Sequence, residues 1–264
     1  RSDYNISHNN TVTIGFYGGE PLLNMKLIRE TITYVEGLHI ANLKFDYNMT
    51  TNAMLLDRCM DYLVEKDFTL LISLDGDEYQ SGYRVDKHGK SSFARVAGNI
   101  QKLKDTYPEF FEKNVRFNAV LHDRNSVEEC YKSIYGLFGK KTRVSELNTS
   151  GIIPERVEEF VRMFNDKTES FKTALTHDPD IKDDFEMEDD ASLAYHFMIM
   201  NYGGNRYSDY VDLFDSDRNG KYVPTGTCRP FERKLFLTVN GKILPCERIG
   251  QECAIARLSD GKLY

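Results

Sequence analysis

The chain has 264 residues, of which 41% are hydrophobic and 28% charged, with a formal net charge of −7. This length fits one large α/β domain, or one domain with a small appendage. The acidic balance speaks against non-specific nucleic-acid binding, which needs a basic face, and neither a membrane-spanning run nor a signal peptide is visible. A cytoplasmic protein without nucleic-acid or membrane partners is therefore expected.

In chain order, β-like runs alternate with helical ones. Residues 11–17 are rich in β-branched and aromatic side chains and read as a strand. Residues 24–38 place Leu27, Ile28, Thr31, Ile32 and Val35 on helical spacing, with Gly37 near the end. Strands are then predicted at 43–52, 68–76, 115–121 and 142–148. Helices are predicted at 55–67, at 91–107 with a serine cap, at 126–139, and at 154–171 with a proline in the first turn. Strands separated by helices imply parallel βαβ units, and five in a row suggest a barrel or a doubly wound sheet.

From residue 171 the pattern changes. Residues 176–192 are acidic and aperiodic, a solvated loop by expectation, and 193–204 suit a short buried helix. Residues 207–228 read as loop. Near the end, 235–239 and 242–244 read as a β-hairpin around Asn240–Gly241 as a two-residue turn. The expected organisation is a partial barrel over 1–170, a linker with a helical insertion over 171–225, and a small extension over 226–264.

The strands end in polar or glycine residues: Gly18–Gly19–Glu20, Thr51–Asn52, Ser73, Asp75–Gly76, Asn118 and Asn148. In both candidate architectures ligands bind at the carboxyl ends of the strands. "GGEP" (Gly18, Gly19, Glu20, Pro21) lacks the Lys-Ser/Thr of a nucleotide P-loop and the dinucleotide spacing. It offers exposed backbone carbonyls and one carboxylate, which suit an ammonium group better than a phosphate. The alternative is a tight turn without a ligand. The six histidines are scattered without i,i+4 pairing, and each reads as a packed or solvated residue before a metal ligand. His122, after a strand end on the same rim, is the one singled out. Five cysteines, an odd number in a long chain, argue against a disulfide framework, and Cys59 and Cys130 read as small buried hydrophobes.

"FYGGEPLLN", "TTNAMLL", "ISLDG", "YRVDKHGKSSFARV" and "NAVL", in this order and spacing, resemble the radical S-adenosylmethionine enzymes, above all those that mature peptides and sulfatases. The resemblance implies an incomplete parallel (β/α) barrel. It implies that Gly18, Gly19, Glu20 and Pro21 hold the methionyl amino group of S-adenosylmethionine, and that Ser73 and Arg84 hold its carboxylate. It places Thr51 and Asn52 toward a substrate; Asn118 and His122, on the same rim, are added as candidate substrate contacts. "TGTCRPFERKLFLTVNGKILPCE" resembles the start of a SPASM extension, which implies Cys228 and Cys246 as ligands of an auxiliary iron–sulfur cluster; Cys253 fits that pattern poorly.

The family's Cys-x3-Cys-x2-Cys loop, which holds the [4Fe–4S] cluster that reduces the cofactor, does not occur in this sequence. The expectation is a piece of a longer enzyme lacking its first βα unit and inactive by itself. The intact enzyme would use a 5′-deoxyadenosyl radical to modify a peptide or protein side chain. Two rivals stand beside it: a degenerate, non-catalytic peptide-binding member of the family, and an unrelated α/β enzyme using Glu20, Asp75 and His122 as acid–base groups. An exposed edge on the first strand would either pair with a second copy or be covered by residues 1–10.

Overall fold

The structure, a computed structural model, describes residues 11–148, 152–178, 181, 235–245 and 249–264. They fall into two compact units, one within Asn10–Met187 and the other within Glu188–Tyr264.

The first unit is built on a parallel sheet of five strands, β1 (Thr11–Phe16), β2 (Lys44–Thr51), β3 (Thr69–Ser73), β4 (Val115–Val120) and β5 (Thr142–Ser145), in that spatial order. Among the described residues the sheet is open, with β1 and β5 at its edges. Because neighbours in space are neighbours in sequence, each right-handed crossover sends its helix to the same side. The burial pattern agrees. Met49, Leu70, Ile72, Val115, Phe117 and Ala119 are buried on one face, while Asn48, Thr50, Ser73, Arg116, Asn118 and Arg143 lie on the other and none of them is buried. One face is therefore core and the other is a polar, accessible surface, as in an incomplete barrel.

The covering helices are α1 (Met25–Glu36), α2 (Met60–Glu65), α3 (Phe93–Thr106), α4 (Pro108–Asn114) and α5 (Val127–Phe138). Most turn a short apolar stripe inward: Ile28 and Ile32 from α1, Val96, Ile100 and Leu103 from α3, Cys130, Ile134 and Phe138 from α5. Phe117 of β4 stacks on Phe138 with centroids 5.4 Å apart and meets the edge of Phe111 at 6.5 Å. A cap fixes where α5 begins: the Ser126 hydroxyl accepts from the Glu129 N–H. It ends at Gly139 in the left-handed conformation (φ 72°).

Among the helices, two predicted features need correction and one helix goes unpredicted. The helix expected over 154–171 is two helices, α6 (Val157–Met163) and α7 (Lys167–His177). The break falls where the Asp166 carboxylate accepts from the Glu169 N–H and starts α7 afresh, so a local cap outcompetes continuation. At the start of α3, Ser92 does not cap the helix, because its hydroxyl donates to the Arg84 carbonyl at 2.7 Å; the Ser91 hydroxyl instead accepts from the Phe93 N–H at 3.3 Å. Finally, α4 has no counterpart among the predicted helices, although Pro108 at its first position suits a helix start.

The second unit contains an antiparallel sheet of four short strands, β6 (Phe236–Leu237), β7 (Lys242–Leu244), β8 (Ala256–Ser259) and β9 (Lys262–Leu263). The expected hairpin is β6–β7, but its turn is not the two-residue type. Thr238 C=O accepts from Gly241 N–H, and Gly241 alone is left-handed (φ 74°), which gives a longer loop. The tight two-residue turn is instead Asp260–Gly261 between β8 and β9, where both φ values are positive. The loop expected over 176–192 begins later than predicted, since Thr176 and His177 form the end of α7 and Ile181 is buried. Most of the rest of that acidic stretch, the helix expected over 193–204, the loop expected over 207–228, Cys228 and Cys246 lie outside the described residues. Among the described residues, no helix is long and apolar enough to cross a membrane.

Candidate functional site

The carboxyl ends of β1, β2 and β3 carry three of the predicted site segments. After β1, Gly18 and Gly19 are exposed, with Gly18 at φ 134°, a conformation that disfavours any side chain. Glu20 follows and is half-buried. Its Oε1 accepts from the Leu22 N–H (3.0 Å) and the Thr51 hydroxyl (2.8 Å), and its Oε2 from the Asn52 N–H (2.7 Å). A carboxylate has about four acceptor positions, and three are taken. Glu20 is thus foremost a brace tying the Gly-Gly loop to the end of β2.

That brace supports a strained backbone. Ala53 follows Asn52 at φ 58°, a region costly for a residue with a Cβ, of order 1–3 kcal/mol. It is held from both sides. The Ala53 N–H donates to the Thr51 hydroxyl oxygen, and the buried Asn99 amide of α3 donates to the carbonyls of Ala53 and Met54. Asn99 is a site-supporting residue that sequence reasoning misses.

A cavity of about 240 Å³ opens beside this loop. Its lining includes Asn52, Ser73, Tyr83, Arg84, Ser92 and Phe93. The structure therefore brings Asn52, Ser73 and Arg84 together from three separate segments. The space is smaller than the roughly 300–1,000 Å³ that encloses a drug-sized ligand, so it suits an amino-acid-sized group. Thr51, itself buried, supports Asn52 from behind through Glu20. Asn118 lies on the accessible face of the sheet, where its side-chain oxygen accepts from the Ser145 hydroxyl at 2.9 Å. The cavity lining contains neither Asn118 nor Gly18, Gly19 or Pro21.

Arg84 reaches the cavity on a folded segment between β3 and α3. Gly76 starts it at φ 129°, where a Cβ would run into Gln80. Asp77 and Gln80 then exchange side-chain bonds with each other's N–H groups, and a Val85–Ser91 bridge closes a small hairpin. The Arg84 guanidinium makes a two-pronged bond to Asp75, Nε to Oδ2 at 2.7 Å and Nη2 to Oδ1 at 2.6 Å. The sequence suggests only an acid–base role for Asp75; in the structure it is a buried anchor.

His122 is placed away from the cavity lining. It is 2% exposed, its Nδ1 accepts from the Arg124 N–H at 3.1 Å, and its ring meets Tyr83 edge-on at 5.0 Å. Burial holds its pKa below the usual value near 6.5, against the opposing pull of Asp75 and Asp123. With Asp75 and His122 buried and Glu20 largely engaged, the acid–base reading finds no open acid or base. The histidine has a measurable consequence. The unfolded chain binds its proton more readily than the folded one, so this stability is fully present above about pH 6.5 and is lost as pH falls below it. Thermal melts across that range should slope downward toward acid, and His122→Gln should flatten the slope. An unchanged slope would show that His122 is not the group responsible.

Among the described residues, no group of three or more His, Cys, Asp or Glu side chains is placed to hold a metal ion. Burial pushes the thiols of Cys59 and Cys130 up, away from the thiolate a cluster needs. The described residues thus do not fit an iron–sulfur cluster, whereas the donors around the cavity fit an amino-acid carboxylate.

The sequence matches no protein-family model. It is 36% identical over 91 residues to an uncharacterized protein of Methanocaldococcus jannaschii, covering 34% of this chain and 32% of that one. It is 26% identical over 160 residues to the radical SAM cyclopropyl synthase TigE of Paramaledivibacter caminithermalis, covering 60% of this chain and 31% of that one. The fold resembles the solved structure of native anSMEcpe with bound AdoMet and the Kp18Cys peptide, with a TM-score of 0.60 at 17% identity, over 96% of this chain and 66% of that one. A histidine-tagged form of anSMEcpe with bound AdoMet also gives a TM-score of 0.60 at 17% identity, over 95% and 62%. The chain thus spans about a third of the curated relatives and under two thirds of these solved chains.

Proposed function

We propose that this chain is part of a radical S-adenosylmethionine enzyme that modifies a peptide or protein side chain, and that its cavity receives the methionyl end of the cofactor. The observation that carries the reading is the convergence of Asn52, Ser73 and Arg84 on one amino-acid-sized cavity at the carboxyl ends of β2 and β3. The fold shared with AdoMet-bound structures and the partial likeness to a radical SAM cyclopropyl synthase support it. The peptide in one of those structures is the ground for proposing a peptide or protein substrate.

In this reading Arg84 and Ser73 take the cofactor's carboxylate, the carbonyls of Gly18 and Gly19 take its ammonium, and Glu20 and Asn99 hold the loop in place. Pro21, which cannot donate, starts the 3₁₀ turn that leads from the loop into α1. With S-adenosylmethionine bound and one electron delivered by the reducing cluster that the whole protein would hold, the cofactor would supply a 5′-deoxyadenosyl radical, leaving methionine, and that radical would take a hydrogen atom from the substrate. The accessible face of the sheet, with Thr50 and Asn118, is where that substrate would lie. Cys228 and Cys246, outside the described residues, are the proposed ligands of an auxiliary cluster in the whole protein. Its location would be the cytoplasm, and pairing through the β1 edge is the proposed route to any dimer.

The test is chemical. The whole protein, isolated without air and given a strong reductant and S-adenosylmethionine, should release 5′-deoxyadenosine. Tight binding of a peptide with no 5′-deoxyadenosine in the iron-loaded protein would favour the non-catalytic alternative and refute the proposed reaction.

A further inference from the structure

We infer that Asp75 is a positioning residue: it clamps the guanidinium of Arg84 by one edge so that the other edge is presented to a carboxylate in the cavity. The inference rests on the reading of that cavity as the site of the methionyl carboxylate, and adds to it a residue that the cavity lining does not contain.

Asp75 is 3% exposed and fixed on several sides. Its Oδ1 accepts from the Val120 N–H at 2.9 Å, so the carboxylate substitutes for a ladder carbonyl just where β3 and β4 end. Its backbone carbonyl accepts from the Asn125 amide at 3.3 Å and from the Cys130 thiol at 3.3 Å, which ties it to α5 and the turn before it. The carboxylate is therefore part of the sheet's frame.

Arg84, in contrast, comes from the segment between β3 and α3. Its carbonyl is held by the Ser92 hydroxyl and N–H, and its N–H donates to the Ser81 carbonyl. The side chain still has several rotatable bonds. The two-pronged bond to Asp75 consumes Nε–H and one Nη2–H, leaving the remaining three of a guanidinium's five donors. Among the described residues no hydrogen bond takes up those three, and Arg84 lines the cavity. A rigid fork that is held by its Nε edge can still offer its Nη edge to a second carboxylate, and less rotamer freedom is then lost on binding. The arrangement also explains why an arginine is present: a lysine could pair with Asp75 but could not face both ways.

The experiment compares S-adenosylmethionine with its decarboxylated analogue by calorimetry on the full chain. Wild type should prefer the carboxylate-bearing ligand by about a hundredfold, the size of a good charge-assisted fork. Asp75→Asn should lower that preference to about fivefold, while affinity for the decarboxylated analogue changes little. A purely structural role would weaken both ligands alike and leave the preference intact, which overturns the inference but not the reading of the cavity. No preference in wild type overturns the reading itself, and the inference with it. If Asp75→Asn does not fold, Asp75→Glu decides. It keeps the charge but shifts the fork by a methylene, so the preference should still fall; a wild-type preference in Asp75→Glu would refute the clamp.

Discussion

Replacing Arg84 with leucine is expected to lower stability by about 3 kcal/mol and, separately, to weaken S-adenosylmethionine binding by about a hundredfold. The first effect follows from Asp75, whose carboxylate has little access to water. Removing one partner of a buried pair costs roughly 3–5 kcal/mol, because the other charge is left without compensation. The Arg84 side chain is 26% exposed, which places the effect at the low end. The second effect is the loss of a charge-assisted fork to the ligand. A double variant separates them. Asp75→Asn with Arg84→Leu should recover most of the stability in urea titrations but none of the affinity. If the double variant were as unstable as Arg84→Leu alone, the buried-charge explanation would fail.

Glu20→Ala is the second large effect. It removes an acceptor from the Leu22 N–H, the Thr51 hydroxyl and the Asn52 N–H together. Bonds to a charged group contribute roughly 1.5–3 kcal/mol each when fully buried and do not add, so a cost of about 3 kcal/mol is expected at this half-buried position. Ala53 loses part of what holds it at φ 58°, and Asn52 loses its place in the cavity wall. Stability and cofactor affinity should therefore fall together. A brace predicts this joint loss. A carboxylate that mainly binds the ligand's ammonium predicts weak binding with stability unchanged, and chemical denaturation beside calorimetry distinguishes them.

The five strands and their order of appearance are legible in the sequence because each apolar run ends in a polar or glycine turn and is followed by a helical period. The one-sidedness of the sheet is not legible run by run. It arises from sequential strand order, which puts every crossover on one face and leaves Asn48, Ser73 and Asn118 on the other. "GGEP" is visible as an unusual turn, but the use of its carboxylate depends on Thr51 and Asn52, more than 30 residues away. The roles of Asp75 and Asn99 are hidden for the same reason: their partners Val120 and Ala53 lie 45 and 46 residues off along the chain. The break between α6 and α7 is within reach of the sequence, since Asp166 and Glu169 have the spacing of a helix start. His122 is legible as a strand-end neighbour, but its burial follows from Tyr83 and Asn125 closing around it.

The central claim is that S-adenosylmethionine binds at the carboxyl ends of β2 and β3 with its carboxylate on Arg84. A crystal structure of the chain soaked with S-adenosylmethionine tests it most directly. The account predicts the methionyl carboxylate within hydrogen-bond reach of Arg84 and Ser73, with the Arg84–Asp75 fork still closed. A ligand bound near Arg116 and Arg143, or with its carboxylate touching neither Arg84 nor Ser73, would contradict it.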